Sequence, residues 1–453
     1  MRRADRRTAL RALPAALRPA VERVARAGDA LGLGVLLVGG PVRDLLLGRP
    51  LLDVDLLVEP RAPGAGGAHP ATHLARAAAE SDERIVAHVR FGTVSLLSAR
   101  GSIDLAAARA ERYAADGALP SVRPATLAQD LWRRDFSVNA LALPLNAVAR
   151  KGRPALVDLV GGQRDLARGI LRILHERSFH DDPTRAFRAA RLAARLGFRL
   201  ERKSRAALGA ALAAGAFDRV SGERFRAELE RTFQDGQGDL PAALSGLERW
   251  RVLPALARGL AVRAGARAAL RWLGLLLRAP PAGLAPDALL AGLMVWLAPL
   301  PLEARRRTLA RLALSGRPEA RVRGFPTLAK RVSGALARSR GRGADDVVLR
   351  ALPAEELLAL AAGAAAGVRR RMLRHAHEDR ALTLPVDGDD LVALGLAGAA
   401  IGQTLAALRR AFLDGGIADR EQALAFVQAR SAPGRTSSPA TGVTRVGHRR
   451  ARR

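Results

Sequence analysis

The stretch VGGPVRDLLLGRPLLDVDLLVE, residues 38–59, decides how the first third of the chain folds. The apolar run GVLLV that leads into it, Gly34–Val38, reads as a short strand. Gly39 and Gly40 then turn the chain, and Pro41 fits the first position of a helix, where a missing N–H costs nothing. The segment DVDLLVE alternates with period two. Val54, Leu56 and Val58 are expected to face a core, while Asp53, Asp55 and Glu59 face the other way. Glu59, the last residue before a proline-led loop (Pro60 to Ala71), is expected to be solvated. Upstream, residues 15–30 have the spacing of an amphipathic helix. Downstream, RIVAHV, FGTVSLL and SIDLA read as further strands, ending near Leu105, and from Arg164 onward nearly every segment has a helical period. Strands at the front and helices behind predict an α+β head on an all-α body.

Two aspartates on one face of a strand, two residues apart, bring like charges close together. Such a pair is costly unless a cation lies between them or one is protonated. Magnesium is the natural occupant, because it takes carboxylate oxygens and shares the rest of its shell with phosphates. Asp104, in GSIDLAAAR, is placed to act as a third carboxylate from a neighbouring strand and complete a two-metal site. Gly39 and Gly40, ahead of a helix start, let backbone N–H groups approach a triphosphate.

The chain has 453 residues, with 74 Lys and Arg against 43 Asp and Glu, a formal net charge of +31. A charge of that size points first to nucleic acid as partner, ahead of an anionic membrane. Cysteine is absent, which excludes disulfides and thiolate metal sites. The longest apolar run, ALLAGLMVWLAPL (288–300), is too short to span a bilayer and reads as a core helix. The basic N-terminus lacks the apolar stretch of a signal peptide, so a soluble, cytoplasmic protein is expected.

These residues resemble the first motif of the tRNA nucleotidyltransferase and bacterial poly(A) polymerase family, the class II polymerase-β-like nucleotidyltransferases. The resemblance continues in order through residues 103–143, which look like the family's third-carboxylate strand, flexible loop and Arg-Arg-Asp-Phe motif. VDLVGGQRDLARGILRIL (157–174) is similar to its Gly-Gly hinge between head and neck. DDPTRAFRAARLAARLGF (181–198) is similar to its nucleotide-selecting helix, and SGERFRAELERTF (221–233) to the neck helix that follows. A weaker likeness, to the C-terminal segment of many CCA-adding enzymes, returns at residues 386–427.

The resemblance implies a nucleotidyltransferase head over 1–160, and a neck of nucleotide-selecting and RNA-binding helices over 161–235. A helical body and tail binding tRNA would follow over 236–430, with a disordered basic tail at 431–453. It implies Asp53 and Asp55 as metal ligands for Mg2+ and Asp104 as the third catalytic carboxylate. Gly39, Gly40 and Arg43 would hold the incoming triphosphate, and Arg134 with Asp135 its phosphate and sugar. Asp182 and Arg185, spaced three apart, are expected to project from one side of a helix and pair with the base edge of ATP or CTP. Arg188 and Arg191 would complete that pocket. Asp181 stands where the family usually has glutamate. The activity implied is addition of C, C and A to the 3′ end of tRNA. A-adding, CC-adding and poly(A)-synthesising enzymes are the alternatives within the family, and an inactive RNA-binding relative is the alternative outside it. The full-length loop at 109–130 argues against CC addition alone, and RFGTVSL (90–96) favours tRNA transfer over poly(A) synthesis.

The stretch RHAHED (374–379) invites a metal-dependent phosphohydrolase reading. His375 and His377, two apart on a helix, point away from each other, so a polar helix surface is the better expectation. His69, His73, His88, His175 and His180 have no partner at ligand spacing and read as structural or surface residues. Tyr113, the single tyrosine, falls in the loop that follows the third-carboxylate strand.

Overall fold

The structure, a computed structural model, describes residues 4–60, 69–88, 92–235 and 238–431. Most of the loop at 60–71, positions 90 and 91 of RFGTVSL, and the basic tail beyond Ser431 lie outside the described residues. The chain divides into two compact units. The first holds residues 1–280, 284–329 and 353–364; the second holds 281–283, 330–352 and 365–453.

The first unit begins with helices α1 (Arg6–Ala12) and α2 (Arg18–Ala30), then strand β1 (Leu33–Val38), helix α3 (Gly40–Leu46) and strand β2 (Asp55–Pro60). Helix α4 (Pro70–Ala78) leads to β3 (Arg84–His88), β4 (Thr93–Ser98) and β5 (Gly101–Ala107). After a separate hairpin, β6 (Arg109–Arg112) and β7 (Ser121–Pro124), come α5 (Leu127–Trp132), β8 (Leu141–Pro144), α6 (Ala147–Arg150) and β9 (Val157–Asp158). Seven strands form one mixed sheet in the order β3-β4-β5-β2-β1-β8-β9. Within it only β2 and β5 pair in parallel, and their register sets Asp55 opposite Asp104.

Both faces of β2 are covered, and the alternation predicted for it is therefore incomplete. Leu57 shares the face of Asp55 and Glu59, yet it is fully buried in a cluster with Leu36, Leu127 and Leu131. Helix α5 covers that face and buries Glu59 to 6 % exposure, so the expectation of a solvated carboxylate is overturned. Two partners offset the cost of burial. Arg153 Nη2 donates to Glu59 Oε2 at 2.6 Å, and the backbone N–H of Leu127 donates to Oε1 at 2.8 Å. The strand also begins two residues late: Asp53 lies outside the ladder, ahead of β2.

Helices α7 (Gly162–Arg168), α8 (Ser178–Asp181), α9 (Arg185–Leu196), α10 (Arg202–Ala213) and α11 (Gly222–Gln234) follow the sheet. Gly161 adopts a left-handed conformation at φ +76°, and a Cβ on Gly162 would lie 2.3 Å from the carbonyl oxygen of Ser137. Only glycine lets α7 approach the backbone this closely. Gly162→Ala is expected to cost about 1–3 kcal/mol of stability through forced backbone movement. An unchanged thermal midpoint in that variant would contradict the close approach.

The unit continues with α12 (Leu240–Arg249), α13 (Val252–Leu256), α14 (Ala264–Arg278), α15 (Ala288–Leu297), α16 (Leu302–Arg311), the first part of α17 (Gly316–Arg338) and α19 (Ala354–Gly363). Every residue of α15 after Ala288 is buried, as expected of a core helix, and Trp296 donates from its indole N–H to Ala261 O at 3.1 Å.

The second unit contains α18 (Arg342–Leu349), α20 (Ala366–Arg374), a single π turn (His375–Asp379), α21 (Gly388–Ala393), α22 (Ala399–Leu413) and α23 (Arg420–Ser431). The expectation of a polar surface at 374–379 fails at two positions. The π turn carries His375 and Asp379 inward, and both are buried at 1 % exposure or less. His375 Nδ1 lies 3.5 Å from Asp346 Oδ1, while Asp379 pairs with Arg342. Burial lowers the pKa of His375 against the pull of Asp346 and Asp379, which keeps the ring neutral.

Candidate functional site

Gly39 occupies φ +73°, and a Cβ there would meet Arg134 Nη1 at 2.9 Å. The turn thus needs glycine twice over, for its dihedral angle and for the guanidinium laid against it. Arg43, one turn into α3, is buried and fully engaged. Its Nε and Nη2 fork onto the two oxygens of Asp44, each at 2.9 Å, and Nη1 donates to Asn139 Oδ1 at 2.7 Å. Asp44 is itself braced by Arg195 at 3.0 Å.

Asp55 is the electrostatic centre of the region. Burial first, then the charges of Asp104 and Asp53, push its carboxyl up to about 6, with Arg134 and Arg43 opposing. Asp104 is exposed on the neighbouring strand and accepts a hydrogen bond from the Ser95 hydroxyl. Three carboxylates therefore crowd one strand end with too little positive charge around Asp55 to keep it ordinarily acidic. This donor set fits a hard divalent cation. Among the described residues, no three His, Asp or Glu side chains form a complete cation site by themselves.

The Arg-Arg-Asp run is positioned by Asp130 of α5, which is fully buried. Asp130 Oδ1 accepts from Arg133 Nη2 at 2.7 Å, and Oδ2 accepts from Arg134 Nη2 at 2.9 Å. Burial alone would raise the Asp130 carboxyl, but the two arginines hold it below the usual range. Asp135 Oδ1 accepts from the N–H of Phe136 at 2.8 Å and from Asn139 Nδ2 at 3.0 Å. Its Oδ2 lies 2.8 Å from Arg188 Nη2, close enough for an ion pair but without hydrogen-bond alignment.

Asp182 and Arg185 do come together, though not as two residues on one helix. Asp182 is extended (φ −137°, ψ 90°) and α9 starts only at Arg185. Pro183 is the reason, because the residue before proline is driven out of the helical region. Asp182 Oδ1 accepts from the N–H and hydroxyl of Thr184 at 3.1 and 2.6 Å, and from Arg224 Nη2 at 2.9 Å. Arg185 is buried; Nη1 donates to Ser178 Oγ at 2.6 Å and Nη2 to the Arg133 carbonyl at 2.9 Å.

These groups line a cavity of about 540 Å³ bounded by Gly39, Gly40, Asp55, Arg134, Asp135, Asp182, Arg185 and Arg188. A second cavity, of about 600 Å³, is lined by Arg43, Asp53, Arg191 and Arg195, and shares Gly40, Asp135, Asn139, Arg188 and Arg231 with the first. Every residue expected at the site lies on one or the other except Asp104, which reaches the region through the ladder beside Asp55.

Sequence reasoning missed several lining residues. Glu111 joins Arg109, Arg133 and the Tyr113 hydroxyl, so the expected loop at 109–130 is instead a built hairpin running into α5. Arg224 bridges Asp182 and the carbonyl of Gly117 at the hairpin tip. Glu228 is buried among Arg191 and Arg231. Arg224 and Glu228 are four apart in SGERFRAELERTF, a spacing that puts both on one helix face and could have marked them.

Residues 35–172 match the poly A polymerase head domain. Over 205 residues the chain is 41% identical to the A-adding tRNA nucleotidyltransferase of Geobacter sulfurreducens, covering 45% of this chain and 22% of that protein. It is 49% identical over 162 residues to the CC-adding tRNA nucleotidyltransferase of Deinococcus radiodurans, covering 35% and 40% of the two chains. It is 34% identical over 254 residues to the CCA-adding enzyme of Lactiplantibacillus plantarum, covering 53% and 54%. The chain thus spans between 22% and 54% of the length of these relatives. Among solved structures, a CCA-adding enzyme in an apo form superposes with a TM-score of 0.67 at 28% identity, over 90% of this chain and 95% of the other. The Thermotoga maritima CCA-adding enzyme complexed with tRNA superposes with a TM-score of 0.64 at 26% identity, over 95% and 100%.

Proposed function

We propose, for a chain whose residues 35–172 belong to the poly A polymerase head-domain family and whose relatives are tRNA nucleotidyltransferases, that it adds C, C and A to the 3′ end of tRNA from CTP and ATP. The observation that carries this reading is the opening of Asp55 and the Asp182–Arg185 pair onto one cavity. A reacting phosphate and the base attached to it can be held there together.

Asp53 and Asp55 would hold a divalent cation, magnesium by the chemistry of the donors, which when bound neutralises charge on the transferred phosphate and the leaving group. The 3′-hydroxyl of the RNA attacks the α-phosphorus in line; a new P–O bond forms, the bond to the β-phosphate oxygen breaks, and pyrophosphate leaves. Asp104 Oδ2, with Oδ1 already occupied by Ser95, receives the hydroxyl proton. Gly39 and Gly40 admit the triphosphate to the α3 turn, and Arg43, Arg134, Arg188 and Arg191 supply positive charge along it. Asp135 holds the sugar.

Asp182 Oδ2 makes no hydrogen bond among the described residues and would accept from the exocyclic amine of cytosine or adenine. Arg185, with two of its five donors used by the protein, gives a remaining N–H to the ring nitrogen. UTP and GTP present the reverse pattern. Among the described residues no helix is long and apolar enough to cross a membrane, and a cytoplasmic site of action fits these substrates.

The test is incubation with tRNAs lacking CCA, lacking CA and lacking only A, each with labelled CTP or ATP. Extension of all three to mature ends is expected. Extension of only the third, by ATP alone, would instead support the A-adding reading, which the name of the Geobacter relative favours. If the arginine excess serves RNA, tRNA affinity should fall linearly on a log–log salt plot through counterion release. Affinity indifferent to salt would contradict that role.

A further inference from the structure

The line of polar side chains that crosses the sheet at Asp55 and Asp104 has a third member. The register that sets Asp104 opposite Asp55 also sets Ser95 of β4 opposite Asp104. Ser95, Asp104 and Asp55 therefore stand in a row across β4, β5 and β2. On β4, Val94 and Leu96 are buried, and Ser95 between them turns to the face that carries the carboxylates.

The ladder fixes how closely Ser95 and Asp104 approach. The N–H of Asp104 donates to the Val54 carbonyl on the β2 side. Toward β4 its backbone is therefore turned away, and Ser95 and Asp104 form a non-hydrogen-bonded antiparallel pair. In such pairs the opposing side chains come closest, with Cα atoms about 4.5 Å apart. The serine uses that approach: Ser95 Oγ donates to Asp104 Oδ1 at 2.5 Å. The single hydroxyl proton is thereby committed, while Asp104 Oδ2 makes no hydrogen bond or ion pair among the described residues.

This contact is poorly suited to be sheet adhesive. Asp104 is exposed, and an exposed side-chain pair adds little to strands whose ladder already runs from Thr93 to Ser98. What it changes is the carboxylate. An exposed aspartate otherwise turns about χ1 and χ2, and its two oxygens exchange places; a hydroxyl fixed to one of them makes the two oxygens distinct. The donor is also neutral. Arg134 and Arg43 act on Asp55, whereas Asp104 is held in place by a group that brings no charge of its own.

We propose that Ser95 is a positioning residue for nucleotidyl transfer: by holding Asp104 Oδ1 it reserves Oδ2 for the proton of the attacking 3′-hydroxyl. The proposal rests on the CCA-adding reading and on Asp104 as the proton acceptor within it. As the hydroxyl oxygen bonds to the α-phosphorus, its proton passes to Asp104 Oδ2, and Ser95 keeps its own. The bond to the β-phosphate oxygen breaks, pyrophosphate leaves with that electron pair, and Asp104 returns the acquired proton to water. Ser95 lines neither cavity, so its loss acts on the rate of transfer and not on nucleotide binding.

The test is single-turnover extension of a tRNA lacking CCA and of a tRNA lacking only A. Ser95→Ala is expected to lower the rate at saturating nucleotide about 10–100-fold. Its apparent affinity for CTP or ATP should stay within about twofold of the parent, the split that marks an interaction felt only in the transition state. Ser95→Thr keeps the hydroxyl on a strand-favouring side chain and should recover most of the rate. Both variants should melt with the parent. In Asp104→Asn, which should itself be slow, adding Ser95→Ala should cost nothing further, because no proton acceptor is left to position.

Ser95→Ala as fast as the parent while Asp104→Asn is slow would overturn the positioning role and leave the enzymatic reading standing. Additive losses in the double variant would overturn it too, as would a Ser95→Thr protein as slow as Ser95→Ala with a lowered melting midpoint. Extension of neither tRNA by the parent would overturn the enzymatic reading, and the positioning role with it.

Discussion

Asp55→Ala is expected to lower nucleotide incorporation by about a thousandfold or more while tRNA affinity stays within about twofold of the parent. The interactions lost act on charge developing at the transferred phosphate, and several kcal/mol of such stabilisation corresponds to that factor. The proposed RNA contacts lie on arginines elsewhere and would not be touched. Stability gives a second, independent sign. Asp55 is held near a pKa of 6 by burial and by two neighbouring carboxylates, so removing it relieves repulsion in the protein alone. The variant should therefore melt no lower than the parent, the pattern of a residue kept for activity at the expense of stability. Asp53→Ala should lose incorporation similarly. Near-normal incorporation by Asp55→Ala would refute the assignment of the carboxylate cluster; a large fall in melting temperature would show that the crowding is not as described.

The second large effect is on base choice. Asp182→Asn keeps an oxygen for Thr184 and Arg224 but places an amide N–H where Oδ2 accepted. Cytosine and adenine then meet donor against donor, while uracil and guanine, which offer a carbonyl at that position, gain a partner. Each mismatched buried bond is worth about 1–3 kcal/mol, so the ratio of kcat/KM for CTP over UTP should fall by about 10–100-fold. Divalent-metal dependence should persist unchanged. Alanine at both Asp182 and Arg185 should also flatten selection, but it strips the Ser178 hydroxyl and Arg133 carbonyl of a buried donor and so carries a stability cost. A parent-like CTP preference in Asp182→Asn would mean that the base is read by other groups.

Local signals were legible in the sequence where chemistry and period coincide. The glycine turn, the proline-started α3, the strands of the head and the core helix α15 each follow from a few neighbouring residues. Long-range facts were not. Glu59 looked solvated because nothing local announces that α5 will cover its face and that Arg153, far along the chain, will meet it. His375 looked like surface because a π turn shifts the helical phase on which that reading depended. Asp182 was assigned to a helix by spacing, although the proline after it already argued otherwise. Glu111, Arg224 and Glu228 escaped because their relevance lies in partners supplied by distant elements. Asp104 was placed by its strand, but its parallel pairing with β2 is a property of the sheet's topology.

That pairing has a consequence for which ions the carboxylates can accommodate. The N–H of Asp104 donates to the Val54 carbonyl at 2.9 Å, so the backbones carrying Asp55 and Asp104 are fastened at the interstrand spacing of about 4.8 Å. The ladder acts as a ruler that an ion cannot stretch. Asp53 lies just off the end of that ruler, where the chain has not yet joined the sheet. If Asp53 and Asp55 hold a cation as proposed, accommodation of one of different radius would fall to Asp53, with Asp55 as the fixed jaw and Asp53 as the moving one.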